Sequence, residues 1–220
     1  GSLRQGAVKG CHVEGGSISG HRHCGGMVGY SGGTIAESYV EDCNVSGDFH
    51  IAGLAGVNYG NIVKSYSNGR VSGKYNFVGG LTGENRGIGG PASISNSYST
   101  ATVSGDRIVG GLAGYNLYSG ISNSYSTGSV FGNDYVGGLI GKTYNGTVSN
   151  SFWDTQSSGQ TVSGGGVGKT TAEMQNPNIF LTVGWDFVDE IDNGFQDIWR
   201  LCNEGTEYPQ LNWQYLLGDF

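Results

Sequence analysis

A glycine-rich unit recurs five times in this chain and narrows its possible folds more than any other feature. It reads GGMVGYSGGTIAESY from Gly25 and GGLAGYNLYSGISNSY from Gly110. The second glycines of the five units are Gly26, Gly53, Gly80, Gly111 and Gly138, at spacings of 27, 27, 31 and 27 residues. A fixed period of this length is typical of stacked repeat folds, in which neighbouring units bury each other's apolar faces.

Each unit contains three short apolar stretches separated by Gly, Ser and Asn, for example ATVSG, IVGGLAG and ISNSYST. No stretch is long enough for a helix, and none has the helical period. We therefore predict an all-β fold, a right-handed parallel β-solenoid (β-helix) of about five coils of ~27 residues over residues 1–152.

The 43 glycines show no collagen-like triplet period, so the glycine content needs another explanation. In the repeated Gly-Gly-Leu step, we expect the aliphatic residues to fill the interior. We expect the glycines to lie where coils approach too closely for a Cβ atom. The long interval contains GIGGPA, which we interpret as a loop insertion at residues 86–92.

The composition changes after Phe152, and residues 153–220 contain all four tryptophans. An open solenoid end exposes strand edges and its apolar interior, so this segment is predicted to be a C-terminal cap packed on the last coil. Thr170, followed three residues later by Glu173, predicts a capping box and a short helix that ends near Gln175, before Pro177.

The run SGGGVGKTT at residues 163–171 resembles a phosphate-binding loop, but Ser163 stands where the first glycine should be. The preceding residues are polar, whereas such a loop follows a buried strand. We interpret the glycines as a flexible connector, and we expect no nucleotide or other cofactor.

The net charge of −7 disfavours nucleic acid as a partner, and no apolar run is long enough for membrane insertion. The start of the sequence has no signal-peptide pattern, so we expect any leader to be missing from this chain.

The chain has four cysteines, Cys11, Cys24, Cys43 and Cys202. An alignment of Val13 with Val45 puts Cys11 and Cys43 at equivalent sites one coil apart, within reach of a disulfide. A Cys11–Cys43 bond and a pair of unlinked thiols both remain open. Cys24 aligns with the apolar Ile51 and is expected in the core.

A column of tyrosines, Tyr39, Tyr66, Tyr98 and Tyr125, occupies one site of the repeat and ends at Phe152. Charged residues two positions earlier place the column outside, whereas Ile94 and Ile121 place it inside, so a bend or bulge must interrupt the strand. An outward column would form a ligand-binding platform, and an inward column would be stacked core. The sequence leaves both open.

The stretch HRHC at residues 21–24 lacks the ligand spacing of zinc sites, so we expect no metal site. The outward positions are mostly Ser, Asn and Thr, which do not supply the convergent acids and bases of a carbohydrate-active enzyme. We expect no catalytic residues.

VGGLAGYN, GLTGEN and ISNSYSTGSV resemble the GLUG motif, which repeats in large bacterial surface proteins. Among these are adhesin-like proteins and the non-catalytic part of immunoglobulin A-cleaving metallopeptidases. The resemblance implies an exported, surface-associated β-helix. The His-Glu-x-x-His signature of the peptidase is absent, so peptidase activity is not implied.

We therefore expect a non-catalytic structural or adhesive module of an extracellular, cell-surface protein. It would act as a spacer or as a binding platform, and its partner would be a glycan or a matrix or host protein. The alternatives are a carbohydrate-active β-helix enzyme and a filament subunit that associates with itself through the solenoid ends.

Overall fold

The structure is a computed structural model and describes residues 1–87, 89–90, 92–201, 203 and 205–216. It divides into two units, Gly1–Gly168 and Lys169–Phe220. The division falls after Gly168, so residues 153–168 belong with the repeats.

The first unit is a parallel β-solenoid of six turns, since two of its sheets have six strands each. The strands of the first three turns are β1 (Ser2–Leu3), β2 (Ala7–Lys9), β3 (His12–Glu14), β4 (Ser17–Gly25), β5 (Val28–Ser31), β6 (Thr34–Ala36), β7 (Tyr39–Ala52), β8 (Ala55–Asn58), β9 (Asn61–Val63), β10 (Tyr66–Gly73) and β11 (Asn76–Gly79). The remaining strands are β12 (Thr82–Arg86), β13 (Ser93–Ser95), β14 (Tyr98–Ser99), β15 (Thr102–Ser104), β16 (Arg107–Gly110), β17 (Ala113–Leu117), β18 (Gly120–Ser122), β19 (Tyr125–Ser126), β20 (Val130–Phe131), β21 (Asp134–Gly137), β22 (Ile140–Tyr144), β23 (Thr147–Ser149) and β24 (Phe152–Asp154).

Strands one turn apart pair in parallel and form three sheets. The first has the order β1-β5-β8-β12-β17-β22, and the second β2-β6-β9-β13-β18-β23. The third contains the remaining strands up to β24 and ends at β25 (Val167–Lys169). The predicted all-β parallel solenoid is confirmed, but residues 2–25 supply an additional turn that the count of Gly-Gly units missed.

The interior is a column of aliphatic side chains that repeat in register. Ile35 pairs with Ile62, Ile62 with Ile94, and Ile94 with Ile121, and each is at most 1% exposed. Cys24 pairs with Ile51 and is buried, as predicted. Stacking thus removes from water apolar surface that a single turn could not bury.

Close approach explains the Gly-Gly step, as predicted. A Cβ atom added to Gly80 or to Gly111 would overlap the carbonyl oxygen of the equivalent glycine in the next turn. It would also overlap the side chain of Ser99 or of Ser126. Any larger residue would therefore push adjacent turns apart.

A left-handed residue forms one corner of each turn and explains the parity conflict in the sequence. In the second to sixth turns these corner residues are Glu37, Lys64, Asn96, Asn123 and Asn150, with φ of 47°, 48°, 48°, 46° and 46°. This backbone conformation breaks the strand alternation between the buried isoleucine and the tyrosine of each turn. Both side chains can therefore point inward, and the expected bend is confirmed.

Two polar ladders run through the interior beside the apolar column. The backbone N–H of Ser65 donates to Ser97 Oγ, and that of Ser97 to Ser124 Oγ, both at 3.2 Å. In the second ladder, Asn58 Nδ2 donates to Asn85 Oδ1 at 2.9 Å, and Asn85 Nδ2 to Asn116 Oδ1 at 3.0 Å. The side chains of all six residues are fully buried, and these bonds satisfy polar groups that no solvent reaches.

The second unit contains α2 (Thr171–Met174), α3 (Asn178–Leu181), β26 (Trp199–Arg200), β27 (Gln210–Leu211) and α4 (Asn212–Leu216), after α1 (Thr155–Ser158) in the first unit. Thr170 and Glu173 form the predicted capping box, and Gln175 ends α2. Strands β26 and β27 are antiparallel, and the rings of Trp185 and Trp199 stack at 4.5 Å between centroids.

Candidate binding site

The four predicted tyrosines lie in one register column, as the sequence indicated. Tyr39 pairs with Tyr66, Tyr66 with Tyr98, Tyr98 with Tyr125, and Tyr125 with Phe152. The tyrosine ring centroids are 4.9–5.0 Å apart with interplanar angles of 2–3°. The spacing equals the distance between adjacent strands, so each ring covers the face of the next.

Burial decides between the two interpretations of this column. Tyr39, Tyr66, Tyr98 and Tyr125 are only 1–6% exposed. Stacking on an aromatic side chain needs a free ring face, and these faces are occupied by neighbouring rings. The column is stacked core, and the exposed platform for a ligand that the sequence left open is not present.

Acidic side chains hold the hydroxyl edge of the column at its N-terminal end. Tyr39 OH donates to Glu14 Oε1 at 2.7 Å, and Tyr66 OH to Glu41 Oε2 at 3.5 Å. His12 extends the stack, with its ring 5.2 Å from that of Tyr39. These contacts orient the rings and give the column a structural role.

The predicted equivalence of Cys11 and Cys43 is wrong. Val13 pairs with Val40, and Ile18 is the residue that pairs with Val45. Cys11 is consequently the neighbour of Ser38, whose Oγ accepts its backbone N–H at 3.2 Å, while Cys43 pairs with Gly69.

The Cys11–Cys43 disulfide is not formed. The thiols of Cys11, Cys24 and Cys43 are free, with Cys11 exposed and the other two buried. Burial raises the pKa of the Cys43 thiol, and it also raises that of Cys24, so both stay protonated at neutral pH. Cys202 lies outside the described residues.

The glycine run that resembles a phosphate-binding loop packs against the last turn. Ser163 Oγ accepts the backbone N–H groups of Leu139 and Ile140 at 3.3 and 2.9 Å. Gly166 lies against the side chain of Leu139. The run is therefore not the flexible connector that we expected, because it satisfies backbone groups at the end of the solenoid.

A second register column, which the sequence analysis missed, carries aromatic and basic residues that are partly or fully exposed. It consists of Gly32, Tyr59, Arg86, Leu117 and Tyr144, at the same spacings as the glycine step. The rings of Tyr30 and Tyr59 stack at 4.9 Å, and the Arg86 guanidinium carbon lies 5.6 Å from the centre of the Tyr59 ring. Only the spacing could have revealed this column, because adjacent turns never carry the same residue type in it.

A groove of about 410 Å³ opens beside this stack. We call it the Tyr30–Tyr59 groove, and it is lined by Arg4, Tyr30, Gly32, Gly33, Thr34, Tyr59, Gly60, Asn61, Gly89 and Gly90. Gly89 and Gly90 belong to the insertion at residues 86–92, so the lengthened unit contributes one rim. The groove combines two partly exposed aromatic rings, a guanidinium, a hydroxyl and an amide.

A buried charged cluster adjoins the groove. His50 Nε2 lies 3.1 Å from Glu84 Oε2, and Arg86 Nη1 lies 3.7 Å from Glu84 Oε1. The Glu84 side chain is 4% exposed, so these two partners take the place of water around its carboxylate. Both carboxylate oxygens are engaged, which leaves Glu84 poorly placed to act as a general base on a bound ligand.

Burial also perturbs the titratable groups around this cluster. It raises the pKa of Tyr59 and of Tyr115, so both hydroxyls remain protonated donors at neutral pH. Burial lowers the pKa of His23, and the charges of His50 and Arg22 lower it further.

Within the described part of the chain, no three His, Cys, Asp or Glu side chains are arranged to hold a metal ion. A search of the same residues for helices long and apolar enough to cross a membrane finds none.

Comparisons with known proteins agree with this architecture. The family model of the GLUG motif matches residues 105–130. A crystal structure from Bacteroides ovatus, provisionally named an immunoglobulin A1 protease, is similar, with a TM-score of 0.71 and 22% sequence identity. The similarity covers 97% of this chain and 70% of that chain. No curated protein matches the sequence.

Proposed function

We propose that this chain is a non-catalytic repeat module of an exported cell-surface protein, in which the solenoid holds a binding surface for glycans or proteins. The observation that carries the proposal is the difference in exposure between the tyrosine column and the residues around Tyr59. The repeated tyrosines are buried in the stack, whereas Tyr30, Tyr59 and Arg4 line an open groove.

The ladders favour a supporting role for the rest of the solenoid. From turn to turn, Asn side chains bond to one another, Ser hydroxyls accept backbone N–H groups and Tyr rings stack, so the three ladders hold the turns in fixed register. A scaffold of this kind positions a surface site accurately, because few of its bonds can rearrange independently.

The chemistry of the groove supports binding and not catalysis. Within the part of the chain that the structure describes, the acid–base pair of the cluster is His50 and Glu84, and both are largely buried. The lining residues Thr34, Asn61 and Arg4 are hydrogen-bond and charge partners, and none of the described lining residues is a base that would activate a nucleophile. The protease name of the structural relative belongs to that protein.

Arrays of glycans and of matrix and host-surface proteins, probed with the labelled chain, test the binding role. We expect specific binding to at least one class and none by the heat-unfolded chain. A folded chain that binds nothing on either array would contradict this role. Antibody labelling of intact cells of the producing organism tests the surface location, since labelling that requires permeabilised cells would contradict it.

A further inference from the structure

We propose that the Tyr30–Tyr59 groove binds a carbohydrate that carries a carboxylate, such as a uronic acid. This inference rests on the proposed function and specifies both the site and the ligand class. The volume of the Tyr30–Tyr59 groove, about 410 Å³, falls within the range of about 300–1,000 Å³ that is usual for small-ligand sites.

The aromatic pair supplies the surface for a sugar ring. Tyr30 and Tyr59 are partly exposed, unlike the tyrosines of the buried column. Ser2 pairs with Tyr30, and Gly32 precedes Tyr59 in its column, so the residues on the N-terminal side are too small to extend the stack. A sugar ring can pack its C–H face against this end of the stack and keep its hydroxyls toward polar partners.

The glycines line part of the groove without side chains, because adjacent turns approach too closely there for a Cβ atom. A Cβ atom at Gly33 would overlap the carbonyl oxygen of Gly6, and one at Gly60 would overlap that of Gly33. Thr34 and Asn61 add a hydroxyl and an amide at the same level of the groove. Such a lining suits a ligand with many hydroxyl groups and suits an apolar ligand poorly.

Charge selects an acidic sugar over a neutral one. None of the described lining residues is acidic, and Arg4 makes no ion pair with any described residue. Arg86 Nε is buried without a hydrogen-bond partner within the same residues. In a chain with a net charge of −7, the exposed guanidinium of Arg4 at the rim of an aromatic groove, without a carboxylate partner among the described residues, points to an anionic ligand.

Titration calorimetry of the folded chain with digalacturonic acid, and with the neutral disaccharide digalactose as its matched probe, tests the proposal. We expect the acidic disaccharide to bind at least tenfold more tightly than the neutral one. Arg4→Gln should remove that preference, and Tyr59→Ser should weaken the binding of both sugars.

Two matched controls come from the same chain. Tyr144→Ser changes an exposed tyrosine of the same column at its other end, and Arg70→Gln removes another exposed arginine that has no ion pair among the described residues. Both should bind like the unchanged chain. Circular dichroism and the melting temperature establish that each variant is folded.

The outcomes separate this inference from the proposed function. If the folded chain binds neither disaccharide at millimolar concentration, or if Arg4→Gln and Tyr59→Ser bind as the unchanged chain does, the groove assignment is overturned. Binding on the arrays that survives both substitutions would preserve the binding module and overturn only this site. If the unchanged, folded chain binds nothing on the arrays and neither disaccharide, both the binding module and this site are overturned.

Discussion

The serine that follows each left-handed corner residue forms hydrogen bonds with two backbone groups through its single hydroxyl. Ser97 Oγ donates to the carbonyl oxygen of Ser95 at 2.8 Å and accepts the N–H of Ser65 at 3.2 Å. Ser65, Ser124 and Ser151 repeat the donated bond in their own turns. The hydroxyl thereby compensates for hydrogen bonds that the left-handed corner removes from the sheet.

Ser97→Ala should destabilise the solenoid by about 1–3 kcal/mol, because the mutation leaves the buried N–H of Ser65 unsatisfied and removes one of the two hydrogen bonds that the Ser95 carbonyl oxygen accepts. Urea unfolding followed by circular dichroism measures the loss. Ser72→Ala, at an exposed strand position, is the matched control and should change the unfolding free energy by less than about 0.5 kcal/mol. Equal effects of the two mutations would contradict the role of the ladder.

The left-handed corner predicts a stabilising substitution. Lys64 has a φ of 48°, a conformation that asparagine adopts in the later turns at Asn96, Asn123 and Asn150. Asparagine tolerates this region better than lysine does. Lys64→Asn should therefore raise the unfolding free energy by about 0.5–1 kcal/mol, and a lower melting temperature would show that other contacts of Lys64 outweigh backbone strain.

His23 makes stability depend on pH. Its folded-state pKa is lowered from 6.5, first by burial and then by the charges of His50 and Arg22, although Glu84 opposes the shift. The unfolded chain therefore binds more protons when the pH falls through about 6.5, and the folded state loses stability on acidification.

His23→Asn removes this titration and suits the left-handed φ of 53° at that position. We expect the free energy of unfolding of the variant to fall less between pH 7.5 and pH 5.5 than that of the unchanged chain. Urea titrations at several pH values measure the two slopes. Identical slopes would mean that His23 does not contribute to the acid sensitivity.

At the scale of the elements, the Gly-Gly step fixes the distance between turns. Gly111→Ala introduces a methyl group where the carbonyl oxygen of Gly138 and the side chain of Ser126 already lie. The substitution should cost about 2–3 kcal/mol or more, since backbone cannot move aside as a flexible side chain can. Melting temperatures check this expectation.

Gly90→Ala is the control for that experiment. No atom lies within 4 Å of a Cβ placed on Gly90, and its φ is outside the left-handed region. The melting temperature should stay within a few degrees of that of the unchanged chain. If Gly90→Ala lowers the melting temperature as much as Gly111→Ala does, close approach between turns does not explain why glycine recurs at the Gly-Gly step.

The elements that were predicted correctly are those whose residue types repeat. The glycine step and the tyrosine column recur in kind as well as in spacing, so the sheets and their register follow from them. The register predicted for the first turn is wrong because it aligns Val13 with Val45, whereas SISG at residues 17–20 matches NVSG at residues 44–47. That shift of five residues produced the incorrect pairing of Cys11 with Cys43.

The sequence did not predict the groove, because the residues that form it do not repeat in type from turn to turn. Tyr59 and Arg86 occupy equivalent positions but differ in type, and they meet Arg4 and Tyr30 only when the turns stack. The facing of the tyrosine column was also open, because it depends on a left-handed φ that no single residue type dictates. Asparagine at three of the five corners was the available signal.

At the scale of the whole molecule, each unit has a core of its own. The core of the first unit includes the aliphatic column and Trp153, whereas Phe180, Trp185 and Trp199 contact one another in the second. Residues 1–168 expressed alone should fold, with a β-type circular dichroism spectrum and a cooperative thermal transition. A chain of residues 1–152 lacks Ser163, whose hydroxyl accepts the backbone N–H groups of Leu139 and Ile140. It should melt at a lower temperature than residues 1–168. Failure of residues 1–168 to fold would show that the second unit is required.

The insertion at residues 86–92 lengthens one repeat by four residues, yet Asn85 still pairs with Asn116, and Ile94 with Ile62 and Ile121. The register of the interior residues is thus unchanged by the insertion at this corner. A lineage could vary the length and chemistry of such a corner loop, and with it the specificity of any adjoining site, without having to redesign the packing beneath it. Selection on what the surface recognises and selection on whether the chain folds would then act on largely separate sets of residues.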